Sequence, residues 1–297
     1  MHGLLESVPN FSEGRDAIVI EAIRAAMVDA GGRVLDVHSD ADHNRSVFTV
    51  VADADSLVDA LAAAISVAVA RIDLRSHEGV HPRVGAADVV PLVRFDREDD
   101  RPERAARALT RRIAMLGVPA LGYGELGEGR RPAFFRQGGT ERLEERLAAG
   151  EIESLAGPAQ LHPTAGAVLV GVRPPLVAFN IDLATDDVEI ARAIASAIRE
   201  RDGGLAGVQA LGLRAHGRAQ VSTNLIDVEG TPLAAVVSAV DRLAGEHGTT
   251  IAGSELVGLM PARIAASAAA SALRLPSLPV ERLLEVAVAG EFGATQL

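Results

Sequence analysis

The chain switches between two hydrophobic periods twice over, in one order, and this limits the available folds more than any single motif does. Residues 4–8, 34–37 and 46–52 are short runs of strand character. Between the first two, Ile18, Ile20, Ile23, Ala26 and Met27 recur near helical spacing, and Gly31-Gly32 stops them. A second helix is expected over 57–71, with Asp55 or Ser56 as N-cap, and then a strand over 87–93. Helices over 101–116 and 140–149 and strands over 118–121 and 165–172 complete the first half.

After Pro174-Pro175 the alternation restarts. A strand over 176–182 and a helix over 186–201 precede a hairpin of 208–214 and 220–225 across His216-Gly217. A helix over 232–246, with Thr231 as N-cap and Pro232 in its first turn, leads to a strand over 250–256 and Ala-rich helices. Both halves read β-α-β-β-α-β, the ferredoxin-like order, with no residue-level repeat. The expected fold is α/β (α+β): two ferredoxin-like-type subdomains, 1–173 and 174–297, each a mixed β-sheet covered by helices. A cleft between them is the default ligand site.

Composition narrows the function classes. With 40 Asp+Glu against 29 Lys+Arg, the net charge is −11, opposite to the basic face of a nucleic-acid binder. Aromatic residues make up 3%, which leaves few platforms for stacking single-stranded bases. The chain has no Cys, hence neither a disulfide nor a thiolate nucleophile. The most apolar helical stretch, 57–70, is interrupted by Asp59 and too short to span a bilayer. The first ten residues lack both a basic region and a continuous apolar one, so no signal peptide is expected. These features point to a cytoplasmic protein without nucleic-acid or membrane partners.

Two motif matches fail on context. Gly122-Tyr123-Gly124-Glu125-Leu126-Gly127 fits G-x-G-x-x-G, but Gly129-Arg130-Arg131-Pro132 follows where a dinucleotide site needs a helix to open. A glycine-rich turn is expected instead. His77-Glu78-Gly79-Val80-His81 fits H-E-x-x-H, whose zinc chemistry needs both imidazoles on one face of a continuous helix. Pro82 disfavours helical backbone at His81, and Gly79 costs about 1 kcal/mol inside a helix. No metal is expected; ligation through His38, His43 or Asp40 stays open, and a zinc hydrolase using His77, Glu78 and His81 is the third-ranked alternative.

The remaining polar residues gather in loops at strand ends: 10–15, 38–45, 77–85, 157–166, and Gln220 with Asn224. Histidines and carboxylates so placed in an α/β protein mark a site. At these residues the chain resembles a known family. Val8-Pro9-Asn10-Phe11-Ser12-Glu13-Gly14, His81-Pro82-Arg83-Val84-Gly85-Ala86, Phe179-Asn180, Gln220-Val221-Ser222 and the segment 253–259 resemble glutamate formimidoyltransferase. The resemblance runs from about residue 4 to 261 and covers only the transferase part of the bifunctional transferase–cyclodeaminase.

The resemblance implies transfer of a formimidoyl group from N-formimidoyl-L-glutamate to N5 of tetrahydrofolate, a co-substrate, in histidine degradation. It implies a homodimer, for which the Ala-rich stretch 265–273 offers a small-residue face, and a separate cyclodeaminase for the next step. The family's catalytic histidine falls on His81, and an imidazole can take and return a proton near neutrality. The aspartate partner that the catalytic histidine has in the bifunctional enzymes falls on His38, with Asp40 or Asp42 as substitutes two and four residues on. The resemblance thus makes His38 and Asp40 catalytic candidates beside His81, and Val80 stands where Glu is usual. The family's folate-binding loop falls on Gly157, Pro158, Ala159, Gln160, Leu161, His162, Pro163, Thr164, Ala165 and Gly166, with His162-Pro163 as a local departure. Substrate carboxylates call for guanidinium groups, so Arg45, Arg83, Arg173 and Arg214 are candidates, with Asn10 and Gln220 from the matched segments. The departures keep two alternatives open: a non-catalytic or altered-substrate folate-binding paralogue, and a formyl in place of a formimidoyl donor.

Overall fold

The structure, a computed structural model, describes residues 3–228 and 230–292. Its contacts divide into two units, Met1–Pro175 and Leu176–Leu297. In the first, β1 (Leu5–Ser7) and β2 (Asn10–Phe11) form one interrupted strand. They are followed by α1 (Ala17–Asp29), β3 (Arg33–Asp40), β4 (Arg45–Ala52), α2 (Ala54–Arg71) and β5 (Ala87–Val93). β4 pairs antiparallel with β1, β2 and β3, and β5 pairs antiparallel with β1 and β2. The order β3-β4-β1/β2-β5 is ferredoxin-like. α2 starts earlier than expected, because Asp53, rather than Asp55 or Ser56, caps it by accepting the Ser56 N–H at 3.0 Å.

An extension then adds α3 (Arg101–Ala114), β6 (Ala120–Gly124), α4 (Pro132–Arg136), α5 (Gly139–Ala148) and β7 (Val168–Arg173). β7 pairs parallel with β5, and β6 parallel with β7, so the sheet is mixed. The glycine motif forms the end of β6 and a 3-10 turn, Glu125–Gly127. A Cβ on Gly127 would lie 2.0 Å from the Gly122 carbonyl oxygen, so the motif serves a tight turn.

Side chains alternate across a sheet. On one face, Phe11, Phe48, Val50, Val90 and Leu92 meet Ile23 of α1, Leu61 of α2 and Leu109 of α3 in one core. On the other, Val89, Leu121, Tyr123 and Leu169 meet Phe135 of α4 and Leu143 and Leu147 of α5. Each such Leu or Phe contributes roughly 1.5–3 kcal/mol by burial. Phe135 seats α4, which carries Arg136, on the sheet, and Leu143 and Leu147 seat α5 beside it.

The second unit runs β8 (Val177–Leu183), α6 (Val188–Ile198), β9 (Val208–Ala215), β10 (Arg218–Leu225), α7 (Leu233–Glu246) and β11 (Ile251–Val257). Its sheet, β11-β8-β10-β9, is again ferredoxin-like. Every pairing in it is antiparallel, so the mixed pairing expected of both sheets belongs to the first alone; only that unit carries the extension that supplies parallel strands. His216 (φ 53) and Gly217 (φ 72) turn the β9–β10 hairpin with the positive φ angles that match strand twist. Thr231, expected to cap α7, donates its hydroxyl to the Ala206 carbonyl at 2.7 Å, and Pro232 occupies the cap position. α8 (Ala262–Ala272), which buries Ile264, Ala266 and Ala270, and α9 (Leu284–Phe292) follow. Among the described residues no helix is long and apolar enough to cross a membrane.

Candidate active site

Three loops of the first unit meet because glycines let their backbones touch. A Cβ on Gly14 would lie 2.1 Å from the Asp40 carbonyl oxygen, and one on Gly79 would lie 2.5 Å from that of His43. Asn44 ties all three loops together. Its Oδ1 accepts the Gly14 N–H at 2.9 Å, its Nδ2 donates to the Glu78 carbonyl at 2.8 Å, and its own backbone takes φ 47. Asn is one of the few side chains that tolerate this left-handed region. The carboxylate of Asp40 accepts the N–H groups of Asp42 and His43, each at 2.8 Å, and so shapes the turn into β4.

This turn delivers Arg45 to His81. The segment 77–83 is a non-helical loop, as Pro82 and Gly79 require. In it His81 is half-buried, with its ring centroid 6.0 Å from that of His43. Its Nδ1 lies 2.8 Å from the Pro82 carbonyl oxygen and 3.0 Å from Arg45 Nη1. A carbonyl only accepts, so it favours the tautomer with Nδ1 protonated and a lone pair on Nε2. A guanidinium only donates, so it favours the opposite tautomer, with the proton on Nε2. The two neighbours thus support a base and an acid at the same nitrogen, Nε2.

Arg45 is fixed by what it touches on its other side. Asn10 Oδ1 accepts from its Nη2 at 2.6 Å and from its Nε at 3.2 Å, and Asp88 Oδ2 accepts from its Nη1 at 3.0 Å. Arg136 donates to the same Asp88 oxygen, and the other Asp88 oxygen accepts the Val84 N–H at 2.7 Å. Asp88 is fully buried. Burial pushes its carboxyl up, but Arg136, Arg45 and the Val84 N–H together outweigh this and hold it below the usual carboxylate range. Arg45 is itself lowered to about 10 by burial, against the pull of Asp88. His81 is driven well below its ordinary 6.5 by desolvation first, then by the charges of Arg45, Arg136 and His43. The imidazole is therefore neutral at pH 7.

The loop 157–166 is bonded to the segment that carries His81. Gly166 pairs with Gly85, Ala167 N–H donates to the Val84 carbonyl at 3.0 Å, and Ala86 N–H donates to the Ala165 carbonyl at 2.9 Å. Thr164 accepts from Leu74 N–H at 2.8 Å. Inside the loop, His162 and Gly166 exchange backbone hydrogen bonds, each 2.9 Å, and His162 Nδ1 accepts the Ala165 N–H at 3.1 Å. Gly157, Ala159 and Gln160 stay exposed. A Cβ on Gly85 would lie 1.8 Å from the Ala167 carbonyl oxygen. Gly85→Ala is accordingly expected to destabilise the protein by about 3 kcal/mol, the upper end of overpacking costs. A denaturant midpoint equal to that of the wild type would refute that close approach.

The other candidates fall in different places. Arg83 spends its guanidinium on the carbonyls of His77, Gly79 and His81, at 2.7, 3.2 and 3.1 Å, and so holds the loop in shape. His38 lies in β3 opposite Val47, which in turn faces Asn10 on β2, so all three share a face. Gln220 belongs to the second unit, fully buried; its Nε2 donates to Asp182 Oδ1 at 2.9 Å, and its Oε1 has no partner. Beside it, Asn180 donates to Glu255 at 3.2 Å. Arg214 is exposed and paired with Asp186. Among the described residues, no three His, Cys, Asp or Glu side chains form a metal-binding group. Two residues central to the site were not singled out from sequence, Asp88 and Arg136. The sign of Asp88 was there: one carboxylate inside the otherwise apolar Ala87-Asp-Val-Val-Pro-Leu-Val93.

Two ferredoxin-like units, with a histidine held between a guanidinium and a carbonyl in the first, define an α/β protein of two subdomains with a buried charged cluster around one imidazole. Comparison with known proteins gives this class its family. The model of the formiminotransferase domain, N-terminal subdomain, matches residues 4–173, and that of the formiminotransferase domain matches residues 178–285. The chain is 37% identical to a glutamate formimidoyltransferase of Streptococcus pyogenes, over 89% of this chain and 91% of that protein. It is 38% identical to one from Thermoplasma acidophilum, over 95% and 96%. A formimidoyltransferase-cyclodeaminase of Sus scrofa is 41% identical over 91% of this chain, which spans about half of that protein (52%). The chain belongs to the formiminotransferase family.

Proposed function

We propose that the protein transfers the formimidoyl group of N-formimidoyl-L-glutamate to N5 of tetrahydrofolate, with His81 as the group that moves the proton. The observation that carries this is the position of His81 Nδ1. It lies between a carbonyl and a guanidinium that support opposite tautomers, on a segment bonded to the loop 157–166. The relatives named above bear the name of this reaction.

The chemistry suits such a group. N5 attacks the amidinium carbon and becomes cationic, so the adduct needs a proton acceptor rather than an oxyanion hole. In our reading Nε2 of neutral His81 takes the N5 proton. The bond from carbon to the glutamate nitrogen then breaks as that nitrogen receives the same proton, and the imidazole ends as it began. Arg45 turns the imidazole and sets its proton affinity, and Asp88 and Asn10 hold Arg45. His38 and Asp40 stand at the edge of this arrangement, Asp40 as the residue that shapes the turn. The loop from Gly157 to Gly166 receives the folate, with its exposed stretch at Gly157, Ala159 and Gln160 facing the ligand. Asn10, Arg45 and Arg83 are the remaining groups of the substrate set in the first unit, Arg83 through the loop it shapes. Gln220 of the second unit is a substrate candidate from the resemblance alone. On the same reading the protein is a cytoplasmic homodimer that needs no metal, and a separate cyclodeaminase consumes its product.

Purified protein with tetrahydrofolate and N-formimidoylglutamate is expected to release glutamate and form the 5-formimidoyl folate in equal amounts, followed spectrophotometrically. N-formylglutamate, run in parallel, distinguishes the two donors. Folate binding without turnover on either would replace this reading by that of a non-catalytic paralogue.

A further inference from the structure

Register places a second group of charged side chains on the same sheet face as Asn10. Tyr123 on β6 is opposite Gly171 on β7, and Arg173 lies two residues further along β7 on the same side. Arg173 is opposite Val93 on β5, and Val93 is opposite Glu6 on β1. Asn10 joins the same face through Val89, opposite Leu169 on β7. The ring of Tyr123 lies flat against Gly171, where a Cβ would come within 2.5–2.7 Å of its carbons, so only glycine leaves it room.

This group has more donors than the protein satisfies. Tyr123 is 5% exposed, and its buried hydroxyl interacts with Arg173 without a hydrogen bond of good geometry, while the buried Nε of Arg136 has no partner. Buried polar atoms without partners are rare, and each calls for an explanation, an absent ligand being one. The charges of Arg173 and Arg136 both act on the Tyr123 phenol, whose pKa burial raises to about 12 against their pull, so it stays a hydrogen-bond donor at pH 7. Arg45, Arg136 and Arg173 bring three positive charges to this face. Asp88 faces Arg45 and Arg136, and Glu6, whose carboxyl burial raises against the pull of Arg173, acts on Arg173, so two carboxyl groups stand against three guanidiniums. A buried excess of guanidinium is costly until an anion joins it. Arg136 also links the two groups, because its charge acts on both Tyr123 and His81.

We infer that Tyr123, Arg136 and Arg173 form a carboxylate-binding site, which seats a carboxylate of the glutamate donor next to His81. This rests on the transfer reading for the identity of the donor, though not for the anion chemistry. An anion at this place offsets the guanidinium charges that depress the imidazole, so donor binding raises the proton affinity of His81 as it is needed to carry a proton.

Glutarate, a dicarboxylate with no transferable group, is the direct probe. Calorimetry on the purified full chain is expected to show glutarate binding that weakens about tenfold or more in Tyr123→Phe and Arg173→Gln, as for loss of a hydrogen bond to a charged group. In turnover, the Tyr123→Phe loss is expected mainly in KM for the donor, with KM for tetrahydrofolate unmoved. The acid limb of kcat is expected at higher pH than that of kcat/KM. Equal glutarate binding in wild type and both variants overturns the site, as does an absence of glutarate binding to the wild type. A loss confined to pteroyltriglutamate, with glutarate unaffected, assigns the anion to the folate tail and overturns the donor assignment. Tyr123-dependent glutarate binding in a protein that does not turn over formimidoylglutamate would uphold the site and refute the transfer reading instead.

Discussion

His81→Ala is expected to lower kcat about 10²–10⁴-fold while tetrahydrofolate still binds, since positioned proton transfer contributes on that scale. The substitution removes the imidazole with its own contacts to Arg45 and the Pro82 carbonyl, but none of the other bonds that build the site. The Arg45 contacts to Asn10 and Asp88, the Asn44 bonds that tie the loops and the pairing of Gly85 with Gly166 all remain. Folding is therefore not the confounding variable, and free imidazole in the assay should restore part of the rate. Single-turnover mixing with equilibrium folate binding separates the two effects. An unchanged kcat would remove His81 from the chemistry.

The same residue sets the pH profile. Its folded pKa is depressed relative to about 6.5 in the unfolded chain, through desolvation and then Arg45, Arg136 and His43. The neutral form is thus favoured by folding. Its contribution to stability is full above pH 6.5 and is lost as pH falls from there towards the folded pKa. For the free enzyme, kcat/KM should hold its value through pH 6.5 and fall only at more acidic pH. A limb centred at or above 6.5 would contradict the burial and charge that surround the imidazole.

The order of elements could be read because period and turn chemistry are local. Ile18 to Met27 and the glycines after them state a helix and its end, and His216-Gly217 states a hairpin. Which strand pairs parallel is not local. It depends on the βαβ extension docking on β5 in the first unit, with nothing equivalent in the second, and so the second sheet was expected to be mixed. The loop of His81 was found through motif residues. Its neighbours were not, because their contacts arise from three-dimensional detail. Asp88 projects from a bulge: Asn10 pairs with Val89 and Phe11 with Ala87, leaving Asp88 over as the extra residue. Alternation cannot show an inserted residue. α4, with Arg136, is five residues long and carries too little periodicity to be seen. Arg45 did stand out as a guanidinium, though for substrate rather than as the neighbour of His81 Nδ1. That contact depends on the close approaches at Gly14 and Gly79.

Asp88→Asn should be the most destabilising substitution in the site. One carboxylate, fully buried, serves two guanidinium groups whose side chains are 16% and 14% exposed, those of Arg45 and Arg136. An amide keeps the shape but leaves both cations buried without their counter-charge. Removing one partner of a buried ion pair costs about 3–5 kcal/mol, most of it the penalty on the charge left behind. The wild-type contribution has a definite pH sign. The folded carboxyl lies below its unfolded value of about 3.9, so its stabilisation is present above that pH and lost as pH falls through the folded pKa. Urea midpoints should therefore separate wild type and Asp88→Asn widely at pH 7 and converge in acid. Asp73→Asn is the control. Asp73 makes a comparably close ion pair with Arg75, at 2.6 Å, but on the surface, where solvent screens it, so its midpoint should not move. An Asp88→Asn midpoint as little shifted as that of Asp73→Asn would mean that Arg45 and Arg136 find other anions. The electrostatic frame around His81 would then have to be sought elsewhere.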